Sequence, residues 1–185
     1  MATTTTDITT STDIAAALQR LESLLLRRPQ FALHDDAPAS TSWQGGTRIV
    51  TSHANGTEVV TDMPRELGGG GEHVTPGWMF RAGLGSCVAT CIALAAARAG
   101  ITLQRLEVLV SSRSDTRGIL DMTDEDGEPV TAAPRDMALR VRVGATSIQP
   151  AALRALVERS IRCSPMACAL EQPITVALQI DSDPE

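Results

Sequence analysis

The fold of this chain is decided by residues 75–100, which read TPGWMFRAGLGSCVATCIALAAARAG. Thr75 is a suitable N-cap, Pro76 suits the first helical position and Gly100 suits the end of a helix, so the pattern predicts one long helix. Apolar and small residues surround it on nearly every side, which indicates burial on most faces. Its glycines would let another helix approach closely.

Upstream, the sequence predicts a disordered start, a helix and a linker. Residues 1–12 are Thr-rich and predicted to be disordered. After Asp13, the predicted cap, apolar residues recur at helical spacing until Pro29. Residues 31–46 are rich in Ala, Pro, Ser and Asp, which predicts a linker.

A β-hairpin and a glycine run precede the long helix. Residues 47–51 and 57–61 are β-prone, and Asn55-Gly56 between them is typical of a type I′ turn. Residues 68–71 are four glycines without the Lys-Ser/Thr end of a phosphate loop, so we expect a flexible crossing.

The remaining pattern completes an α+β chain. Strands are predicted over residues 103–112, 137–143 and 174–180, and a helix from Pro150 to about residue 164. The order of helix, hairpin, buried helix, two strands, helix and strand segregates helices from strands in part, which favours the α+β class.

The length of 185 residues fits one domain with an extra N-terminal element, here residues 1–42 followed by a domain over 43–185. The net charge of −6 argues against nucleic-acid binding. The N-terminus lacks the features of a secretory signal, and no membrane span is expected. We therefore expect a cytoplasmic protein, in which structural disulfides are rare.

The four cysteines are Cys87, Cys91, Cys163 and Cys168. No Cys-x-x-Cys pair occurs and the three histidines are scattered, so neither a metal nor a cofactor is predicted. Inert core packing is the usual role of buried cysteines. The alternative is redox chemistry, which needs a thiolate and a second thiol.

If Cys87 is reactive, a cation must favour its thiolate, because it lies too deep in the helix for the N-terminal dipole to help much. Arg48 on the hairpin is the preferred source, with Arg81 and Arg65 as alternatives. Cys91 is one turn from Cys87, and Cβ atoms at that spacing lie about 5–6 Å apart, too far for a disulfide.

The second thiol is therefore Cys163 or Cys168, although these two could also pair with each other.

Two blocks resemble the OsmC/Ohr family of osmotically inducible and organic hydroperoxide resistance proteins. The first is PRELGG at residues 64–69 with MFRAG at 79–83, closing on Cys87. The second, SPMACAL at residues 164–170, is similar to the family's Cys-Pro-Val-Ser-x-Ala-Leu motif. The resemblance covers roughly residue 43 to the C-terminus.

The resemblance implies an intertwined homodimer that reduces organic hydroperoxides. Cys87 matches the cysteine that attacks the peroxide and becomes a sulfenic acid, and Arg48 lies about where the activating arginine belongs. A second cysteine then forms a disulfide, which an external dithiol, often lipoyl, reduces. Two positions depart from the pattern: Gly77 replaces a glutamate, and Ser164 stands where the resolving cysteine belongs.

Two hypotheses follow. In the first, the chain is an OsmC-like thiol peroxidase with Cys87 as nucleophile, Arg48 as activator and Cys163 as the preferred resolving thiol. In the second, it is a catalytically inactive dimer that binds a small apolar ligand in an interface cleft beside residues 78–80. Ser164 favours the second hypothesis, and the retention of Cys87 and Cys163 favours the first.

Overall fold

A computed structural model describes residues 10–146, 148–172 and 174–182. Its helices and strands are partly segregated along the chain and both sheets are antiparallel, so the predicted α+β class is confirmed. In chain order they are α1 (Ser11–Arg27), β1 (Ser40–Trp43), β2 (Ile49–Ser52), β3 (Glu58–Thr61), α2 (Pro76–Arg98), β4 (Leu103–Arg113), α3 (Thr116–Ile119), β5 (Arg135–Ala145), α4 (Pro150–Ile161) and α5 (Pro165–Glu171). Short 3₁₀ turns occupy Pro29–Phe31 and Arg65–Leu67.

The N-terminal helix is present, but it begins two residues before the predicted cap. Thr10 is the N-cap, and Asp13, in the third helical position, bonds back to the Thr10 backbone in a capping box. Most of the predicted disordered start lies outside the described residues, and its last two residues begin α1. The helix packs on α2, where Arg98 forms an ion pair with Glu22 at 2.6 Å.

The first sheet contains the predicted hairpin and one strand that was not predicted. β2 and β3 pair antiparallel, which confirms the hairpin. The predicted type I′ turn was wrong, because Gly56 has a positive φ of 89° but Asn55 does not, and the Gly56 N–H instead bonds the His53 carbonyl. β1 pairs antiparallel with β2 and lies inside residues 31–46, so the predicted linker contains a strand at its C-terminal end. Ser and Thr are compatible with an edge strand as well as with a loop. The Thr41 and Thr51 hydroxyls form a hydrogen bond across the strand pair at 3.1 Å.

The second sheet is an antiparallel pair of long strands, as the alternating patterns predict. β4 and β5 have 11 residues each and pair from Leu103–Ala145 to Arg113–Arg135. One face of this pair covers α2, and charged residues alternate along the other, where Arg105 and Glu107 form a two-bonded ion pair.

The core forms between α2, β4, α4 and α5, with α2 at its centre. Its buried members are aliphatic: Leu84, Val88, Ile92, Leu156, Val157 and Ala167. The glycines of α2 permit the close approach predicted for them. A Cβ on Gly83 would lie 3.1 Å from Met166 of α5, and one on Gly85 would lie 3.1 Å from Val110 of β4.

The C-terminal region departs from the prediction twice. The Ser164-Pro165 step was interpreted only as the end of α4, but it also begins the helix α5, with Ser164 as N-cap and Pro165 in the first turn. Residues 174–180 do not form the predicted strand, because they pair with no strand among the residues that the structure describes. Their alternating apolar side chains are exposed, from 67% at Ile174 to 84% at Val176.

By length and composition alone, α2 is the one helix of the described residues that could cross a membrane. The core helix of a soluble protein passes the same test, and α2 supplies most of the buried apolar residues. Only 28% of its most apolar window is buried, so much of its surface faces away from the chain.

Candidate functional site

The candidate nucleophile Cys87 lies in the middle of α2. The helix begins with Thr75, whose side chain accepts a hydrogen bond from the Trp78 backbone N–H at 3.2 Å, and with Pro76 in the first turn. Its register places Leu84 and Val88 in the core and leaves Cys87 half-buried beside them. The rigid helix therefore fixes the position of the sulfur at the edge of the core.

The residue that meets this sulfur is Ser164. Its Oγ donates a hydrogen bond to Cys87 Sγ at 3.1 Å. Ser164 is fully buried, and as the N-cap of α5 its Oγ also accepts a hydrogen bond from the Ala167 backbone N–H at 3.4 Å. Ser164, in the second of the two sequence blocks, thus contacts Cys87, at the end of the first block, through its hydroxyl group.

The other three thiols lie nearby: Cys91 is a direct neighbour of Cys87, and Cys163 and Cys168 are close to Cys91. Cys91 donates to the Cys163 carbonyl at 3.5 Å, and Cys168 donates to the Arg162 carbonyl at 3.3 Å. All four cysteines are free thiols, and Cys163 is exposed. Burial is the main cause that raises the pKa of Cys91, with smaller contributions from the neighbouring thiols.

Arg48, the predicted activator, lies just before β2 and faces the glycine-rich loop. Its guanidinium is 2.9 Å from His73 Nε2 and 3.7 Å from a Glu72 carboxylate oxygen. Within the described ranges, no hydrogen bond or ion pair joins it to Cys87. The alternative Arg81 lies on α2 and donates to the Ser112 hydroxyl at 3.3 Å.

The predicted crossing at the glycine run is a hydrogen-bonded turn that wraps around the Asp62 side chain. Asp62, buried at 5% exposure, accepts hydrogen bonds from the Thr47 hydroxyl at 2.5 Å and from the Gly70 and Met63 backbone N–H groups at 2.8 Å. The Thr47 bond is the main cause that lowers the pKa of Asp62. Gly69 is required there, because a Cβ would lie 1.8 Å from the Met63 carbonyl oxygen.

A cavity of about 470 Å³ opens at the N-terminal end of α2. Its walls are mostly apolar, and Arg81 and Asp115 add charge at its rim. Phe80 lines it, whereas its neighbours Trp78 and Met79 do not. A site of this size and character suits a small, mainly apolar ligand.

The chain matches the family model of the OsmC-like protein over residues 69–179. No curated protein is similar enough in sequence to match it.

Solved structures show the same fold at low identity. An OsmC-like protein from Mycoplasma pneumoniae is 13% identical, with a TM-score of 0.62 over 76% of this chain and 91% of its own. An organic hydroperoxide resistance protein OsmC from Legionella pneumophila is 21% identical, with a TM-score of 0.51 over 74% and 91%. An organic hydroperoxide resistance protein from Elizabethkingia anophelis is 17% identical, with a TM-score of 0.53 over 76% and 93%. With the family model covering more than half of its length, the chain belongs to the OsmC-like protein family.

Proposed function

We propose that this protein is a thiol-dependent peroxidase that reduces organic hydroperoxides with Cys87 as the nucleophile. The observation that carries the proposal is the contact between Cys87 on the central helix and a buried hydroxyl donor 3.1 Å from its sulfur. The hydrogen bond fixes the position of the sulfur, and a cysteine acts as a nucleophile through its thiolate. The family provides a second support, since relatives of the same fold are named organic hydroperoxide resistance proteins.

In the proposed reaction, the Cys87 thiolate attacks one oxygen of the peroxide bond. The O–O bond breaks, the alcohol leaves after taking a proton, and Cys87 becomes a sulfenic acid. Thiol reduction of the sulfenic acid then returns Cys87 to its starting state, with an external dithiol of the lipoyl type as the electron donor. Arg48 as activator is a prediction of the resemblance. Cys163 as resolving thiol is a hypothesis from its position next to Ser164, and each is testable by substitution.

The proposed functional unit is a homodimer in the cytoplasm. Two surfaces support the dimer. The first is the apolar surface of α2 that the chain leaves uncovered. The second is the segment 174–180, whose exposed side chains at every second position have the period of a strand that lacks a partner. Burying such surfaces against a second copy would remove them from water.

The experiment that tests the peroxidase is hydroperoxide consumption with dihydrolipoamide as the reductant. Wild type should consume cumene hydroperoxide, and Cys87→Ser should lose turnover entirely. Cys91→Ser is the matched control, since Cys91 lies one turn further along the same helix and should be dispensable. Equal rates for wild type and Cys87→Ser would contradict the proposal.

A second candidate function is the binding of a small apolar ligand, which the cavity beside Phe80 favours. It predicts that an apolar fluorescent probe such as N-phenyl-1-naphthylamine binds wild type and Cys87→Ser equally. Phe80→Asp should abolish that binding by placing a charge on the cavity wall. Probe binding without any hydroperoxide turnover would favour this candidate over the peroxidase.

A further inference from the structure

We infer that Ser164 is the positioning residue for the Cys87 sulfur, and that oxidised Cys87 persists as a sulfenic acid which an external thiol reduces directly. The inference rests on the proposed peroxidase function and specifies how its cycle closes. In this cycle Ser164 positions the sulfur, and none of the other cysteines forms a disulfide with oxidised Cys87.

The hydrogen-bond pattern around Ser164 directs its hydroxyl proton at Cys87. A serine hydroxyl has a single proton to donate and two lone pairs. One lone pair accepts the Ala167 backbone N–H, and the proton is directed at Cys87 Sγ. The Ser164 backbone N–H is separately bonded to the Ile161 carbonyl at 3.0 Å, so the turn that carries the hydroxyl is held from both sides.

A buried donor of this kind serves both states of the sulfur. Before oxidation it stabilises the thiolate, because hydrogen bonds to ionised groups are stronger than those between neutral groups. After oxidation the same proton can bond the sulfenic oxygen or the sulfur. A hydroxyl cannot form a disulfide, so Ser164 can hydrogen-bond the oxidised sulfur without forming a covalent bond to it.

The remaining thiols are engaged elsewhere. Cys91 and Cys168 each direct their S–H at a backbone carbonyl, and Cys163 is exposed. Ser164 Oγ donates a hydrogen bond to Cys87 Sγ at 3.1 Å, and the Cys91 thiol is a second neighbour of that sulfur. Among the described residues, neither Cys163 nor Cys168 has a hydrogen bond to Cys87 Sγ.

The cycle balances with two external thiols. Cys87 thiolate and the hydroperoxide yield the alcohol and Cys87 sulfenic acid, as described above. A first external thiol then forms a mixed disulfide with Cys87 and releases water. A second thiol, or the second arm of a dithiol, attacks that disulfide, releases Cys87 and leaves as the oxidised disulfide. In total, one peroxide bond is reduced and two thiols are oxidised.

The test uses the full-length protein, one equivalent of cumene hydroperoxide and dimedone to trap sulfenic acid, with peptide mapping of all four cysteines. Wild type should give the dimedone adduct at Cys87 and no disulfide from that residue. Ser164→Cys should instead give a disulfide joining positions 87 and 164, which tests the contact in a variant that keeps the size of the side chain.

The role of the hydroxyl is measured by the rate at which iodoacetamide alkylates Cys87 at neutral pH. Ser164→Ala should slow it about tenfold, the effect expected when one hydrogen bond to a charged group is lost. Ser164→Thr keeps the hydroxyl and should restore most of the rate, which a purely structural role would not predict. Ser160→Ala is the matched control, because Ser160 is equally buried but bonds the Leu156 carbonyl.

The outcomes separate this inference from the proposed function. A Cys87 disulfide to Cys163 or Cys168 in wild type would overturn the inference and leave the peroxidase standing. Equal alkylation rates in wild type and Ser164→Ala would also overturn it. Cys87 that stays unmodified by the hydroperoxide would overturn both.

Discussion

At the scale of single residues, Asp62 fixes the loop that leads into the central helix. It is a buried carboxylate with three hydrogen-bond donors, from Thr47, Met63 and Gly70. These bonds favour the charged form and lower its pKa below the ordinary value of 3.8. The run of glycines then follows from geometry, since the backbone must wrap closely around one side chain.

The lowered pKa of Asp62 makes part of the stability depend on pH. A depressed pKa in the folded state contributes stability above the ordinary value of 3.8 and loses it as the pH falls through the folded-state pKa. Urea unfolding across the acid range should therefore show wild type more stable than Asp62→Asn near neutral pH, with the difference shrinking on acidification. Asp35→Asn, at an exposed position, should show no such difference. A difference for Asp62→Asn that stays constant with pH would contradict this assignment.

Gly69→Ala tests the same loop by steric means. The added Cβ would lie 1.8 Å from the Met63 carbonyl oxygen, so the backbone must move. We expect a loss of about 1–3 kcal/mol in the free energy of unfolding, the range for overpacking. Gly77→Ala is the matched control, because its nearest neighbour would be 3.8 Å away, and it should be tolerated. Equal stability of the two variants would show that the loop does not need glycine at position 69.

Sequence reasoning identified the candidate nucleophile but not the residues around it. The apolar helix pattern and the family blocks identified Cys87, and the serine at position 164 was visible as a departure from the motif. Its hydrogen bond was not predictable, because it depends on how α5 docks on α2. The contacts of Arg48 with Glu72 and His73 likewise depend on the path of the glycine loop, which sequence spacing does not fix.

At the scale of elements, α2 provides the centre of the core. Ile92 is fully buried between the sheet and α4, so Ile92→Ala should cost about 2–5 kcal/mol of stability by opening a cavity. Leu26→Ala, on the 80% exposed side chain of Leu26 in α1, should change stability little. Both values come from urea unfolding monitored by circular dichroism, and a small effect at Ile92 would contradict the central place of α2.

The elements with strong end signals were predicted well. Thr75 and Pro76 begin α2, and the hairpin turn at Asn55-Gly56 sets the register of two strands, because both signals are local. α5 was missed because Ser164-Pro165 signals the end of one helix and the start of the next with the same residues. β1 was missed because its four residues, all Ser, Thr or Trp, show no alternation of apolar and polar side chains.

At the scale of the whole molecule, the exposed C-terminal segment bears on assembly. If residues 174–180 pair with a second copy, Leu178→Asp places a charge on the apolar side of that strand and should shift the protein toward monomer. Gln179→Asp places the same charge on the opposite side and should leave the dimer intact. Sedimentation velocity over a concentration series measures both, and unchanged assembly in Leu178→Asp would remove this segment from the proposed interface.

The overall class was predictable because it follows from the order of elements. The failure of residues 174–180 to form a strand was not predictable, because their alternating pattern has no pairing partner among the described residues. A period of two indicates a strand only when another strand is available to pair with it. If residues 174–180 pair with a strand of a second copy, as in the proposed dimer, the alternating pattern is that of a strand formed only on assembly.

The most direct test of the central claim is to expose reduced protein to one equivalent of cumene hydroperoxide, quench within seconds and map the oxidation state of each cysteine. The account predicts that the half-buried Cys87 is oxidised first, ahead of the exposed Cys163, because reactivity follows thiolate character and position as well as access. Oxidation of Cys163 with Cys87 still reduced would contradict it.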